Sequence, residues 1–155
     1  MAELIFDIET TGLDPFSDMV IAIGYSTNKR ATVLMGDEKE ILMKFSKMLK
    51  RAEKVVGFNI TDFDMPFLLI RCIKHSVAIS FPEAVDLSKL SPHRKRLEDW
   101  CRFLNIKRTY ELNGSRILEL YLKGKLDLVK KHCLDDVKAA REVWSRYKLV
   151  MLEKR

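Results

Sequence analysis

Short apolar segments alternate with helical patterns along this chain, and that alternation constrains its fold more than any other feature. Residues 4–8 form an apolar run before a Thr-Thr-Gly turn, which is typical of a buried strand. The order of such segments predicts an α/β fold whose sheet starts antiparallel and finishes parallel. The predicted strands are 4–8, 19–26, 30–35, 54–58 and 84–87, and the predicted helices are 37–51, 64–75, 95–104, 115–122 and 126–152.

Three local signals mark boundaries between these elements. Asn28-Lys29 is a plausible hairpin turn between the second and third strands. Asp64 is a favoured N-cap residue, and Pro66 is tolerated in the first turn of a helix, so a helix is expected to begin there. Gly124 interrupts the helical pattern before the long last helix.

The length of 155 residues predicts one domain that covers 1–155. With 47% hydrophobic residues the chain can bury a core, and no apolar run approaches the roughly 20 residues that span a bilayer. The first residues lack the basic and apolar segments of a secretory signal. Three cysteines without metal-type or redox-type spacing are expected to be reduced packing residues, so we predict a cytoplasmic protein with no membrane contact.

Charge is distributed unevenly along the sequence. The first 40 residues hold eight acidic and three basic residues, although the whole chain has a formal net charge of +6. This asymmetry favours an anionic partner for the later part of the chain, but uneven solvated surface charge would produce the same pattern. The absence of glutamine and the presence of only four asparagines favour a hot growth environment, and thus a thermophile.

Asp7 and Glu9 lie two residues apart on the first predicted strand, so both carboxylates project from the same face. A buried strand with two acids on one side needs compensation, because unpaired buried charge is costly. A cation supplies it, and oxygen ligands suit Mg²⁺ or Mn²⁺ better than zinc. The alternative is a strand end at which both acids reach water.

Three further polar residues have both a functional and a structural interpretation. Asp64 could join an acidic site or could only cap its helix. His132 and Asp136 are four residues apart in the last predicted helix, so they share one face. They could belong to a catalytic site or form a partly exposed ion pair.

The segment Phe-Asp-Ile-Glu-Thr-Thr-Gly-Leu-Asp at residues 6–14 resembles the first motif of the DEDD superfamily of 3′–5′ exonucleases, the DnaQ-like proofreading and RNA-processing nucleases. Residues 59–68, Asn-Ile-Thr-Asp-Phe-Asp-Met-Pro-Phe-Leu, resemble the second motif, especially as found in B-family DNA polymerases and their stand-alone relatives. His132 to Asp136 falls where the third motif belongs. The resemblance implies an RNase H-like mixed five-stranded sheet flanked by helices, with the first three strands antiparallel and the rest parallel.

The resemblance also implies a role for each motif residue. Asp7, Glu9, Asp64 and Asp136 would hold two divalent metal ions, Mg²⁺ or Mn²⁺, with Asp7 bridging both. Asp62, two residues earlier, could be mistaken for the motif aspartate, but the neighbouring Phe63 and Pro66 favour Asp64. The turn at Thr10, Thr11 and Gly12 would approach the terminal nucleotide, Leu13 would wedge against its base, and Asn59 and Phe63 would shape the same pocket. An ordinary turn with Leu13 packed inward is the structural alternative.

The third motif departs from the family pattern. The polymerase-like branch has a tyrosine four residues before the last aspartate, and the other major branch has a histidine five residues before it. This chain has His132 at the four-residue spacing. Tyrosine mainly orients the attacking water, whereas an imidazole can also accept its proton. Both roles stay open for His132 as a catalytic residue.

The resemblance implies a metal-dependent 3′–5′ exonuclease that hydrolyses single-stranded DNA, or RNA, from its 3′ end. A polymerase or a DNA repair factor would be the protein partner, and the sequence does not predict an oligomeric state. The alternatives are a ribonuclease, an endonuclease of branched or hybrid structures on the same fold, and a nucleic-acid-binding module that has lost catalysis.

Basic and aromatic residues complete the sequence-based expectations. The run His93-Arg94-Lys95-Arg96 could neutralise a nucleic-acid backbone, or it could be a solvated loop. The same two interpretations apply to the lysines before His132, which are Lys123, Lys125, Lys130 and Lys131. We expect four aromatic residues, Trp100, Phe103, Trp144 and Tyr147, to pack in the core rather than to stack on bases.

Overall fold

A computed structural model describes residues 2–27, 30–110 and 115–152 of the chain. Its strands are β1 (Ala2–Thr10), β2 (Val20–Ser26), β3 (Ala31–Met35), β4 (Ala52–Gly57) and β5 (Glu83–Asp86), and its helices are α1 (Glu38–Leu49), α2 (Met65–His75), α3 (Leu97–Leu104), α4 (Ser115–Leu122) and α5 (Leu126–Leu152). A π-helical turn, Ile60–Asp64, leads into α2, and a 3₁₀ turn, Leu87–Lys89, follows β5. The expected hairpin turn at Asn28-Lys29 lies outside the described residues.

The five strands form one sheet in the order β3-β2-β1-β4-β5. β1 pairs antiparallel with β2, and β2 pairs antiparallel with β3. On the other side, β1 pairs parallel with β4, and β4 pairs parallel with β5. The predicted mixed sheet is therefore confirmed, and β1, which carries the first pair of acids, is its central strand.

The two faces of β1 serve different purposes. Leu4, Phe6 and Ile8 pack into the core that α1 and α2 cover. Ile5 faces the opposite way, into a core completed by α3 and α5. Because side chains alternate along a strand, Asp7 and Glu9 share the α5 side with Ile5.

Gly24 on β2 lets α5 approach the sheet closely. A Cβ atom at this position would lie 2.7 Å from the Sγ of Cys133 and 2.7 Å from a methyl carbon of Val137, so a larger residue would push the helix away. Cys133 and Val137 are fully buried on α5. This contact sets the distance between α5 and the sheet, and so the position of the neighbouring residues His132 and Asp136 relative to β1.

The start of α2 differs from the sequence-based expectation. Asp64 precedes the helix, but its side chain makes no capping hydrogen bond. The backbone of Asp64 already has helical dihedral angles, because the π-helical turn that leads into α2 begins at Ile60. The first-turn amides therefore need no side-chain cap, and the Asp64 carboxylate is available for another contact. Pro66 lies in the first turn of α2, as predicted.

The packing prediction holds for three of the four aromatic residues. Trp144 is buried, and Trp100 and Tyr147 pack against the same core from partly buried positions. For Phe103 the prediction was wrong, because 77% of this residue is exposed to solvent. Trp100 occupies the inward side of the short helix α3, so Phe103, three residues later, is left at its edge.

Candidate active site

The central strand presents Asp7 and Glu9 toward α5, in a setting with little access to water. Glu9 is buried, whereas Asp7 keeps some exposure. The Oδ2 atom of Asp7 is nonetheless buried and has no hydrogen-bond partner within the described part of the chain. An orphaned carboxylate oxygen of this kind indicates a missing positive charge or donor.

Helix α5 brings His132 and Asp136 to the same place. The Nε2 atom of His132 lies 3.5 Å from Oε1 of Glu9 and 3.2 Å from Oδ2 of Asp136. One ligand atom from each of these three residues lies within 4.8 Å of the other two, so they could share one ion. The structure thus brings together residues that are more than 120 positions apart in the sequence.

Asp64 reaches this cluster from the π-helical turn. It is buried, and its Oδ2 accepts a hydrogen bond of 3.1 Å from the backbone N–H of Ile8. Ile8 lies between Asp7 and Glu9 on β1, and the carboxylate charges interact, since Asp64 raises the pKa of Asp7 and Glu9 raises that of Asp64. Asp62, by contrast, is exposed and pairs with Lys89 at 3.2 Å and with Arg94.

Burial and mutual repulsion raise the pKa values of the carboxylates in this cluster. Burial, and then the charges of Glu9, Asp136 and Asp64, raise the pKa of Asp7 well above its usual value. Burial raises the pKa of Glu9 to about 7, and the charge of Asp136 acts in the same direction while His132 opposes it. Burial also raises the pKa of Asp64 well above its usual value, with the charge of Glu9 adding to the effect.

The donor set at this site fits a divalent cation. Four carboxylates with an orphaned buried oxygen supply hard ligands, which Mg²⁺ and Mn²⁺ prefer. Bound cations would also remove the repulsion that raises these pKa values. Cys133 lies near Asp7 and Glu9, but burial raises the pKa of its thiol well above the usual value, so it stays a protonated packing residue.

His132 is buried and positioned by the acids around it. Burial alone would lower its pKa, but the hydrogen bond to Asp136 and the charges of Asp136 and Glu9 outweigh that effect and raise the pKa above 6.5. Its Nδ1 atom is buried and has no partner within residues 2–27, 30–110 and 115–152. Only Nε2 faces the acidic cluster, so any proton exchange there uses this atom.

The turn after β1 is organised by its own side chains. The Oγ1 atom of Thr10 donates to the carbonyl of Gly12 at 2.7 Å, and Oγ1 of Thr11 donates to Asp18 at 3.1 Å. Leu13 is 84% exposed, which excludes the inward-packed alternative. Phe16, in the same loop, is 81% exposed. Two large apolar side chains therefore project into solvent just beyond Glu9.

A buried ion pair anchors this loop to the helices. The single Nε–H of Arg71, on α2, is shared between the two carboxylate oxygens of Glu38 at 3.2 and 3.0 Å. Its Nη2 donates to Glu38 at 2.7 Å, and its Nη1 donates to the carbonyl of Pro15 at 3.0 Å. Glu38 also accepts from the backbone N–H of Val20 at 2.6 Å. Because both ends of the loop are held, the exposure of Leu13 and Phe16 reflects a defined conformation.

Asn59 immediately precedes the π-helical turn, and Phe63 lies on it directly before Asp64. Asn59 has a left-handed backbone with φ of 59°, and its buried Oδ1 finds no partner among the residues that the structure describes. Phe63 is partly buried and packs against Phe67, with ring centroids 5.4 Å apart. Their predicted role in substrate binding remains a proposal.

Arg108 is a residue that sequence reasoning missed. It lies between α3 and α4, and its Nε donates to Oδ2 of Asp135 at 2.7 Å while its Nη2 pairs with Oδ1 of Asp136. Asp135 also accepts from the N–H and the hydroxyl of Thr109, at 3.0 and 2.6 Å. No motif marks a contact across 28 positions, so the sequence offered no signal for it.

Asp86 is a second residue without a sequence signal. It ends β5 and accepts hydrogen bonds from the N–H of Asn59 at 2.8 Å and from the N–H and hydroxyl of Thr61 at 3.2 and 2.9 Å. It also accepts from the hydroxyl of Ser88 at 2.6 Å. These contacts fix the turn that carries Asp64.

The helices of the described residues include none with the combined length and apolarity that a bilayer crossing needs.

Comparison with known proteins places this geometry in a family. A family model described as RNase H superfamily matches residues 4–147. A curated protein of Methanocaldococcus jannaschii, described as uncharacterized, is 36% identical over 97% of this chain and 96% of its own length. The family B DNA polymerase of Pyrobaculum calidifontis matches in structure with a TM-score of 0.82 and 20% identity over 94% of this chain, which spans 24% of the polymerase's length. These matches confirm the RNase H-like fold that the motifs implied, and the chain belongs to the RNase H superfamily.

Proposed function

We propose that this protein is a metal-dependent nuclease that removes nucleotides from the 3′ end of single-stranded DNA. The observation that carries the proposal is the convergence of Asp7, Glu9, Asp64 and Asp136 on one place, with His132 between two of them. The resemblance of the three motifs to DEDD exonucleases supplies the direction of cleavage. Membership of the RNase H superfamily supports hydrolysis of a phosphodiester.

The four acids would hold two divalent ions between them. The charges of Glu9, Asp136 and Asp64 all act on the buried Asp7 carboxylate and raise its pKa, which supports the inclusion of Asp7 in this set. When bound, such ions supply the Lewis acidity that activates a water molecule and stabilises the leaving 3′ oxygen. Cys133 stays outside this set as a neutral thiol. The choice of Mg²⁺ or Mn²⁺ follows from the oxygen-rich donor set.

The other residues around the site have separate tasks. His132 presents Nε2 toward Glu9 and Asp136, where it can orient the attacking water or accept its proton. The turn from Thr10 to Gly12 would grip the sugar and phosphate of the terminal nucleotide. Leu13, which is 84% exposed, would contact the face of its base. Contacts of this kind imply little sequence preference.

Degradation of end-labelled oligonucleotides tests the proposal. Single-stranded DNA labelled at its 5′ end should shorten one nucleotide at a time in Mn²⁺, and the same DNA labelled at its 3′ end should release labelled mononucleotide first. The Asp7→Asn variant should be inactive on both. Internal cuts would support an endonuclease instead, and faster degradation of the matched RNA would support a ribonuclease. Tight binding without turnover across pH 6–9 would support a binding module.

The similarity of fold to a polymerase chain extends the proposal to a protein partner. A polymerase or a DNA repair factor would deliver the 3′ end to the acidic site. Faster removal of a mismatched primer end when a B-family polymerase is added would support this partnership, and an unchanged rate would count against it.

A further inference from the structure

A groove beside α3 lies outside the acidic cluster. Its volume is about 410 Å³, and it opens between the segment after β5 and the outer side of the helix. It is lined by Ser91, Lys95, Asp99, Trp100, Arg102 and Phe103. None of these residues takes part in the chemistry described above, so the groove is available for another task.

The groove holds an aromatic ring in a fixed and accessible position. Phe103 is 77% exposed, and its ring and that of Trp100 form a T-shaped pair, with the centroids 6.1 Å apart and the planes at 84°. Trp100 in turn packs against the core formed with α5. The contact with Trp100 therefore holds the Phe103 ring in place, while most of the Phe103 side chain stays open to a planar ligand. Base–aromatic stacking uses this kind of open face.

The charges around the groove favour an anion. Lys95 and Arg102 line it, and Arg94 and Arg96 are exposed on the segment that borders it. Asp99 offsets part of this charge, because it pairs with Arg102 at 2.8 Å. The surplus is still positive, so the groove combines an open aromatic face with cations, as surfaces that bind single-stranded nucleic acid do.

The bordering segment connects the groove to the acidic cluster. Lys89 donates from Nζ to the hydroxyl of Thr61 at 2.7 Å and to Asp62 at 3.2 Å, and Arg94 also pairs with Asp62. Asp62 precedes Asp64 by two positions on the π-helical turn. The surface that carries these cations thus begins at the turn that holds Asp64 and ends at the groove.

We propose that this groove is a second binding site for single-stranded nucleic acid, in which a base upstream of the 3′ end stacks on Phe103 and the adjoining phosphates contact Lys95 and Arg102. The inference rests on the proposed function, because it takes the 3′ end of the strand to lie at the acidic cluster. A short oligonucleotide would occupy only that cluster, whereas a longer one would also reach the groove. Affinity should therefore rise with length.

Fluorescence anisotropy with labelled oligothymidylates measures this directly. In the Asp7→Asn protein with Mn²⁺, an oligomer of about 12 nucleotides should bind more tightly than one of about three. Phe103→Ala should weaken binding of the longer oligomer by about 5- to 100-fold, the loss expected for one stacked base. Binding of the shorter oligomer should not change. Phe103→Trp should restore the affinity, because it restores an aromatic face.

Matched controls separate the groove from general effects. Ile73 on α2 is 69% exposed and lies away from the groove, so Ile73→Ala should leave both affinities unchanged. Lys95→Ala and Arg102→Ala should each reduce the slope of log affinity against log salt concentration by about one, the value expected for one lost phosphate contact. Lys47→Ala on α1, on the other side of the sheet, should not. Melting temperatures of the exposed-site variants should match that of the parent protein.

Each outcome decides the inference. Equal affinity of the parent and Phe103→Ala proteins for the longer oligomer would overturn it, as would equal affinity of the parent for both lengths. A change in sedimentation caused by Phe103→Ala would also overturn it, because it would make the groove a protein contact. Length-dependent binding that requires Phe103, in a wild-type protein that never cleaves DNA, would keep the groove and reject the proposed function.

Discussion

Arg108 pairs through Nη2 with Oδ1 of Asp136 and leaves Oδ2 of the same carboxylate turned toward His132, at 3.2 Å. The other side of the guanidinium donates to Asp135 at 2.7 Å. Only 7% of the Arg108 side chain and 6% of the Asp135 side chain are exposed, so the ion pair itself is shielded from water. One arginine thus orients an acid of the candidate site while it satisfies a structural acid beside it.

Removal of Arg108 should destabilise the fold. Arg108→Ala leaves Asp135 buried without its charged partner, and breaking such a pair costs about 3–5 kcal/mol. We expect the lower end of that range, because Thr109 still donates two hydrogen bonds to Asp135. Arg108→Lys should lose less, since it keeps the charge. Urea unfolding measures both losses, and a change below about 0.5 kcal/mol for Arg108→Ala would show that the pair contributes little.

Asp7→Asn should have opposite effects on activity and on stability. The substitution should abolish nucleotide release, but it should stabilise the metal-free protein at pH 8 by more than about 1 kcal/mol, because it removes a charge that burial and three neighbouring acids oppose. Thermal melting in chelator measures the gain. Asp62→Asn is the matched control, since Asp62 is exposed and outside the cluster. A metal-free Asp7→Asn protein that is less stable than the parent would contradict the repulsion described here.

Local features of the sequence were sufficient for the sheet and for its central pair of acids. The apolar run of β1 and the two-residue spacing of Asp7 and Glu9 depend only on strand periodicity. The motifs also pointed to Asp64 and Asp136 by resemblance, and the roles of these acids stay predictions. The sheet prediction succeeded because it needed only the local pattern of apolar residues.

Contacts made by irregular segments could not be predicted in the same way. The side-chain cap expected from Asp64 is absent because a π-helical turn precedes α2, and no residue pattern distinguishes that turn from a helix start. Arg108 and Asp86 act through loops whose path depends on the finished packing. Trp100 and Phe103 lie three residues apart on α3, so both fit the apolar pattern of one helix face. Only the tertiary structure decides which of them faces the core.

Stability of the metal-free protein should fall as pH rises. Glu9 has a pKa of about 7 in the fold against an ordinary 4.5, so its contribution is fully present below pH 4.5 and is lost as pH rises through 7. For Glu9 alone the loss is on the order of 3 kcal/mol. Added Mn²⁺ should therefore raise the melting temperature more at pH 8 than at pH 5.5.

The loss of stability at low pH provides the internal control for this dependence of stability on pH. Burial would raise the pKa of Glu38, but hydrogen bonds from Arg71 and His75 lower it overall, so its contribution is lost only as pH falls through the lowered value. Mn²⁺ should not change this loss at low pH, because Glu38 is outside the cluster. A melting temperature that responds to Mn²⁺ equally at both pH values would show that the ion does not relieve the repulsion around Glu9.

Asp86 should control how well Asp64 is placed. Asp86→Ala removes the acceptor for Asn59, Thr61 and Ser88, and each buried donor left unsatisfied costs about 1–3 kcal/mol. The turn should loosen, so more Mn²⁺ should be needed for half-maximal nuclease activity. Asp86→Asn retains one acceptor oxygen, so its Mn²⁺ requirement should lie between those of the parent protein and Asp86→Ala. Titration of activity against Mn²⁺ distinguishes this outcome from a simple loss of folded protein, which would lower the maximum without shifting the midpoint.

His132 decides whether the site uses an imidazole for proton transfer or only for orientation. Its Nε2 lies within 3.5 Å of Glu9 and Asp136, where an attacking water could donate to it. If His132 accepts the proton, His132→Ala should slow nucleotide release by about 10²-fold or more. His132→Tyr should keep part of the activity and move the rise of the pH–rate profile to higher pH, because a phenol loses its proton near pH 10. A tyrosine variant with reduced activity but an unchanged pH profile would assign His132 to orienting water, and an alanine variant at the native rate would leave it only a structural role.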